Sequence, residues 1–167
     1  MATLESMLAS PDQSMRLKAA LAAGTYPERE FIEILINQCA IETDFFVRDT
    51  LSWALMRHDH RVVVEHLASE LKSPIPQARS QAVHTLSKIG DQANYPLITE
   101  ELLFDEDDSV AATAWRAASV LVPQSEKKRL VQLLITQLGR GDSDTQFSLS
   151  RFLCAIGEEI VEPLTQA

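Results

Sequence analysis

The fold this sequence predicts is an all-α solenoid of stacked helix pairs, and three observations carry that expectation. Apolar residues recur at helical spacing along almost the whole chain, and short polar turns interrupt them at regular intervals. One stretch, Asp44 to His58, returns at a fixed period. Aligned on a two-residue hallmark, its copies begin at Met15-Arg16, Val47-Arg48, Ala78-Arg79, Val110-Ala111 and Thr145-Gln146, with successive offsets of 32, 31, 32 and 35 residues. The apolar register holds through all of them. Ala19, Leu51, Ala82, Ala114 and Leu149 share one position, and Ala23, Leu55, Leu86, Ala118 and Leu153 share another. A helix pair of this size cannot bury its apolar face alone, so neighbouring pairs must stack.

The elements follow in order. Thr3 to Ala9 forms a short first helix, stopped by Ser10-Pro11. Ser10 suits the N-cap of the second helix, with Pro11 at its first position and Gly24 as its stop. Pro27 opens a third helix that places Phe31, Ile34, Leu35 and Cys39 on one face, and Thr43-Asp44 ends it. Asp44 to His58 is the fourth. Val62 to Leu71, with Val63, Leu67 and Leu71 inward, is the fifth, and Ile75 to Gly90 the sixth. Tyr95 to Phe104 and Ser109 to Leu121 make the next pair, joined by the acidic turn Asp105 to Asp108. Ser125 to Leu138 and Asp142 to Ile156 make the last, after which Glu158 to Ala167 reads as an unpaired half unit. Its Ile160, Val161 and Leu164 are expected to fold back and cap the array.

Composition narrows the function classes. A net charge of −9, from 24 acidic and 15 basic side chains, argues against wholesale binding to a nucleic-acid backbone or an anionic membrane. No apolar run approaches the roughly 20 residues of a membrane span, and the N-terminus lacks a basic segment followed by an apolar core. A cytoplasmic protein is expected. Cys39 and Cys154 are far apart on apolar helix faces and read as buried, reduced thiols. His58, His60 and His66 lack the converging spacing of a metal site. His58, on an apolar stripe, reads as a core histidine at a helix end. No nucleophile elbow, phosphate loop or dinucleotide glycine pattern is present, so neither a catalytic residue nor a cofactor is expected.

The acidic turn, the apolar-Arg pair, the Ala-rich helix and the closing Ile-Gly resemble HEAT repeats, particularly the short HEAT-like repeats of phycobilin lyases. The resemblance is best in Ile75–Asp91 and Asp44–His58 and covers nearly the whole chain as a single domain, 1–167. It implies a right-handed α-α superhelix of HEAT/armadillo type, with about five helix pairs plus a C-terminal half unit. In such arrays the arginine of the hallmark reaches the acidic turn of an adjacent repeat, which implies a structural ladder of Arg16, Arg48 and Arg79 with Asp12, Asp44 and Asp49. Ala111 and Gln146 depart from that pattern.

The resemblance also places a binding surface on the concave face lined by the second helices. There the stacked columns read Leu21, Trp53, His84, Arg116, Arg151 and Leu17, Asp49, Ser80, Ala112, Phe147. The candidate binding residues are Asp49, Trp53, Arg57, Ser80, His84, Lys88, Arg116 and Arg151. An aromatic, an imidazole and two guanidiniums in one column suit an acidic peptide, a phosphate or a flat ligand stacked on Trp53; inter-repeat packing is the competing reading. Trp115, one position off that column, reads as packing. The function expected is a non-catalytic interaction scaffold that holds a protein or peptide segment. Two other readings rest on resemblance alone. Trp53, Asp49, Arg48, Arg116 and Arg151 imitate the groove of HEAT-like DNA alkylation repair glycosylases, and the repeat subtype suggests a lyase acting on a bilin.

Overall fold

The computed structural model describes residues 3–157 and Thr165, and within these the chain is all-helical. Five helix pairs are present among the described residues. They are α1 (Leu4–Leu8) with α2 (Gln13–Thr25), α3 (Phe31–Ile41) with α4 (Phe45–Leu55), and α5 (His60–Glu70) with α6 (Pro76–Ile89). Then come α7 (Glu100–Leu103) with α8 (Asp108–Leu121), and α9 (Lys127–Ile135) with α10 (Ser143–Ile156). The chain divides into two compact units, 1–89 with three pairs and 90–167 with two. Gly90 stands at the boundary with a φ of 71°, the left-handed conformation that ends α6 and that glycine adopts without strain. The half unit expected to cap the array lies outside the described residues, apart from Thr165.

One chemical device starts most of the second helices. Asp12, Asp44, Asp107 and Asp142 each stand three residues before the hallmark, and each carboxylate accepts a backbone N–H of the following first turn. Such a cap contributes about 1 kcal/mol. In α6 the equivalent position is Ile75, which has no side chain to do this. Asp12 therefore displaces Ser10 as the cap of α2, while Ser10 Oγ accepts the Asp12 N–H at 3.2 Å. The third helix begins at Phe31 rather than Pro27, because Glu28–Glu30 turns first and its carbonyls receive the Phe31 and Ile32 N–H groups. Asp59 caps the fifth helix, which opens at His60, before Val62.

The core follows the repeat register. Ala19, Ala23, Val47, Leu51, Leu55, Ala82 and Leu86 are buried in the first unit, and Val110, Ala114, Ala118, Leu149 and Leu153 in the second. Small alanines at these positions let helices approach closely. The tightest approach is at Gly24, which is not a stop but lies inside the last turn of α2. A Cβ there would come within 2.3 Å of the Trp53 ring and 2.9 Å of the Ala54 Cα.

The first helix of the fourth pair departs from expectation. Tyr95–Phe104 is not one helix: a 3-10 turn over Gln92–Leu97 contains Pro96, Ile98 is non-helical, and only four residues of α7 follow. Proline is accepted in the first turn of an α-helix, so Pro96 does not forbid one from Tyr95; the break comes at Ile98, whose φ of −85° and ψ of 83° leave the helical region.

Candidate functional site

The hallmark arginines act first on their own turns. Arg16 Nη1 donates to the carbonyls of Ser10 and Pro11 at 3.0 and 3.2 Å, Arg48 Nη1 to those of Glu42 and Thr43 at 2.8 Å each, and Arg79 Nη1 to that of Ser73 at 2.7 Å. Arg16 also crosses to the next pair. Its Nε and Nη2 reach the two oxygens of Glu42 at 2.8 and 3.0 Å, a bidentate pair with Glu42 just 2% exposed. The partner is thus Glu42. Asp12 and Asp44 serve as caps, and Asp49 points elsewhere.

Glu42 also accepts the Gln38 amide and the Asp44 backbone N–H, both at 3.0 Å. Burial opposes its charge, but the bonds from Arg16, Asp44 and Gln38 outweigh it and hold the carboxyl below the ordinary range. Gln77 of α6 adds a further tie, donating to the carbonyls of Cys39 and Glu42 at 2.9 and 2.7 Å.

In the second unit the missing arginines are replaced. Gln146 takes the arginine's place and donates to the Gly141 carbonyl at 3.1 Å. Where Ala111 cannot reach its own turn, Arg140 supplies the guanidinium from the following pair. It donates to the Asp105 carbonyl, pairs with Asp108 at 2.8 Å, and lies over the Trp115 ring at 5.9 Å from the centroid.

On the second helices of the first unit, Asp49, Trp53 and Arg57 follow one another at helical spacing along α4 and its exit, as Ser80, His84 and Lys88 do along α6. The two rows do not stack level. Asp49 Oδ1 meets Lys88 Nζ at 2.7 Å, two turns beyond the Ser80 that shares its repeat position. The Lys88 hydrogen bond holds the Asp49 carboxyl below its usual range against partial burial, and the charges of Lys88 and His84 assist. Trp53 lies across Gly24 of α2 with 38% of its surface exposed, and Leu21 of α2 is also exposed. It therefore packs between repeats and stays partly open to solvent at once. Arg57 is exposed just past α4, while Ser80 and His84 are half-buried and hydrogen-bonded or otherwise engaged. Arg116 of α8 and Arg151 of α10 are exposed in the second unit.

Other titratable groups are structural. His58 is buried with Nδ1 2.8 Å from the Ala54 carbonyl, and its Nε2 has no hydrogen-bond partner, so this core histidine is only half satisfied. His60 and His66 likewise bond carbonyls four residues back. Among the described residues no three His, Cys, Asp or Glu side chains converge as a metal site would require, and no helix is long and apolar enough to cross a membrane. Cys39 is buried, which pushes its thiol up to about 12, whereas Cys154 is exposed, contrary to expectation. An aromatic disulfide reagent is expected to modify one thiol per native chain, Cys154, and the second only in denaturant. Release of two equivalents from the native protein would contradict the burial of Cys39.

Two features escaped the sequence reading. Phe45 and Phe46 are 65% and 68% exposed and meet edge to face with centroids 5.6 Å apart, where α2, α8 and α10 begin with polar residues. In the second unit a cleft of about 550 Å³ opens between the broken segment around Pro96 and the start of α9. Proline within the expected helix was the one signal for it.

No protein-family model matches the sequence, and no curated protein matches it either. Solved structures do. An engineered protein is 20% identical with a TM-score of 0.56, over 98% of this chain and 83% of that one. The complex of CpcE and CpcF of phycocyanin lyase from Nostoc sp. PCC7120 gives 19% identity and a TM-score of 0.58, over 93% of this chain and 64% of that one. A second engineered protein gives 18% and 0.53, over 98% and 88%. At these identities the likeness is one of fold: the chain is an all-helical protein of the helical-repeat type.

Proposed function

We propose that this chain is a HEAT-like interaction scaffold, a single repeat domain over 1–167, that holds a segment of a partner protein against its second helices without catalysing a reaction. The observation that carries this reading is Trp53. A large aromatic ring is fixed over Gly24 yet keeps 38% of its surface open, next to an exposed Leu21 and one turn from the Asp49–Lys88 pair. A rigid aromatic with charges of both signs beside it is the composition of a binding hot spot. The groups that a chemical reading would require are otherwise engaged. Asp49 is bonded to Lys88, and Arg48 is spent on the carbonyls of Glu42 and Thr43, so the repair-glycosylase imitation loses two of its members. The phycocyanin lyase neighbour is a complex of two proteins, a case of this fold engaged with a partner.

The test is selection of a random peptide library displayed on phage against the purified protein. We expect enriched sequences whose binding falls at least about tenfold, roughly 1.4 kcal/mol, in Trp53→Ala and survives moderate salt. An absence of enrichment would overturn the proposal, and so would peptides that bind Trp53→Ala as tightly as the parent. Steeply salt-dependent association with duplex DNA would instead favour the nucleic-acid reading.

A further inference from the structure

The cleft in the second unit lies where a repeat is broken. In the pairs on either side, the first helix is continuous: α5 runs for 11 residues and α9 for 9. Between them, a 3-10 turn over Gln92–Leu97 contains Pro96, Ile98 leaves the helical region, and α7 is only four residues long. Between this segment and the start of α9 a space of about 550 Å³ is open. That is within the usual range of small-molecule sites, roughly 300–1,000 Å³.

Its lining is sorted by chemistry. Buried Ile98 and Leu103 contribute apolar lining together with Pro96, Pro123 and Leu133. The polar side carries the Tyr95 ring and the carboxylates of Glu100 and Glu126. One cation faces them. Arg129 Nη2 lies 2.9 Å from Glu100, its close partner, while its Nη1 stands 3.9 Å from Glu126. Among the lining side chains, carboxylates outnumber guanidiniums two to one. The loosely held carboxylate is that of Glu126, which lines the cleft with Tyr95; burial first and Glu126 second push the Tyr95 phenol up, and Arg129 opposes them. An aromatic ring beside a weakly paired carboxylate, with an apolar lining, is complementary to an organic cation carrying an apolar body.

We propose that this cleft binds a small amphipathic cation, an ammonium or guanidinium on an apolar stem, with its charge between Glu126 and Tyr95 and its stem on Ile98, Leu103 and Pro123. The site is separate from Trp53 and independent of the scaffold reading.

The experiment uses the full chain and three probes of one shape: 4-phenylbutylamine, 4-phenylbutanol and 4-phenylbutyrate. Binding is followed by amide chemical-shift changes. We expect the amine to shift residues 92–103 and 123–133 and to bind about tenfold more tightly than the alcohol, with the carboxylate weakest. In Glu126→Gln, a rim substitution whose fold is checked by circular dichroism, the preference of amine over alcohol should disappear while alcohol binding is unchanged. Equal or tighter binding of the alcohol or carboxylate by the parent would overturn the proposal. Amine-induced shifts confined to other regions, or an unaltered preference in Glu126→Gln, would do the same.

Discussion

Replacing Trp115 by alanine is expected to destabilise the second unit by about 4 kcal/mol, the middle of the range for truncating a buried tryptophan. Trp115 is fully buried in α8, and its Nε1–H donates to the Leu103 carbonyl at 2.8 Å. That carbonyl closes α7, an element of four residues that cannot hold its conformation by helix propensity alone. The same ring supports Arg140, which supplies the guanidinium missing at Ala111. Removing it therefore leaves a cavity, an unpaired carbonyl and an unsupported arginine together. Trp115→Phe separates these effects. It keeps most of the ring but drops the hydrogen bond, and should cost about 1–3 kcal/mol. Urea unfolding followed by circular dichroism reads both. A loss below about 1 kcal/mol in Trp115→Ala would show that the indole does not anchor the broken segment.

The period of the chain was legible because it lives in residue identity. Alanines and leucines recur at fixed offsets, and their burial follows from that alone. Contacts that depend on how helices cross were not legible. Asp49 shares a repeat position with Ser80 but meets Lys88, two turns further along α6, and residue identity does not encode that offset. The exchange of Ala111 for Arg140 was hidden for a related reason. The replacement comes from about thirty residues downstream, and nothing in the local sequence links the two. Gly24 was misread because two physical demands select glycine. One is a left-handed stop, and the other is a close approach such as the Trp53 ring makes. At Tyr95–Phe104 the apolar periodicity carried no sign of the break, which comes at Ile98, where the backbone leaves the helical region after the 3-10 turn. Cys154 has helical apolar neighbours yet faces outward, because periodicity locates a stripe but not its edges.

Glu42→Ala is expected to cost about 3 kcal/mol, the lower end of the range for breaking one side of a buried pair. The loss has several parts. Arg16 is left without its bidentate partner, and the Gln38 amide and Asp44 N–H lose their acceptor. Glu42→Gln keeps the shape and one acceptor oxygen, so it should cost less, and it makes the electrostatic part visible through pH. Glu42 has its folded-state pKa depressed, so the unfolded chain binds its proton more readily. The stabilisation is fully present above the ordinary glutamate value of 4.5 and is lost as the pH falls below it. Wild type should therefore lose stability on acidification more steeply than Glu42→Gln, and the two unfolding curves should converge toward the acid limit. Parallel pH profiles would mean that the Arg16–Glu42 contact contributes geometry but no net charge stabilisation. If the difference between the two proteins also vanished at neutral pH, the link between the first two helix pairs would rest on apolar packing of α2 against α4 alone.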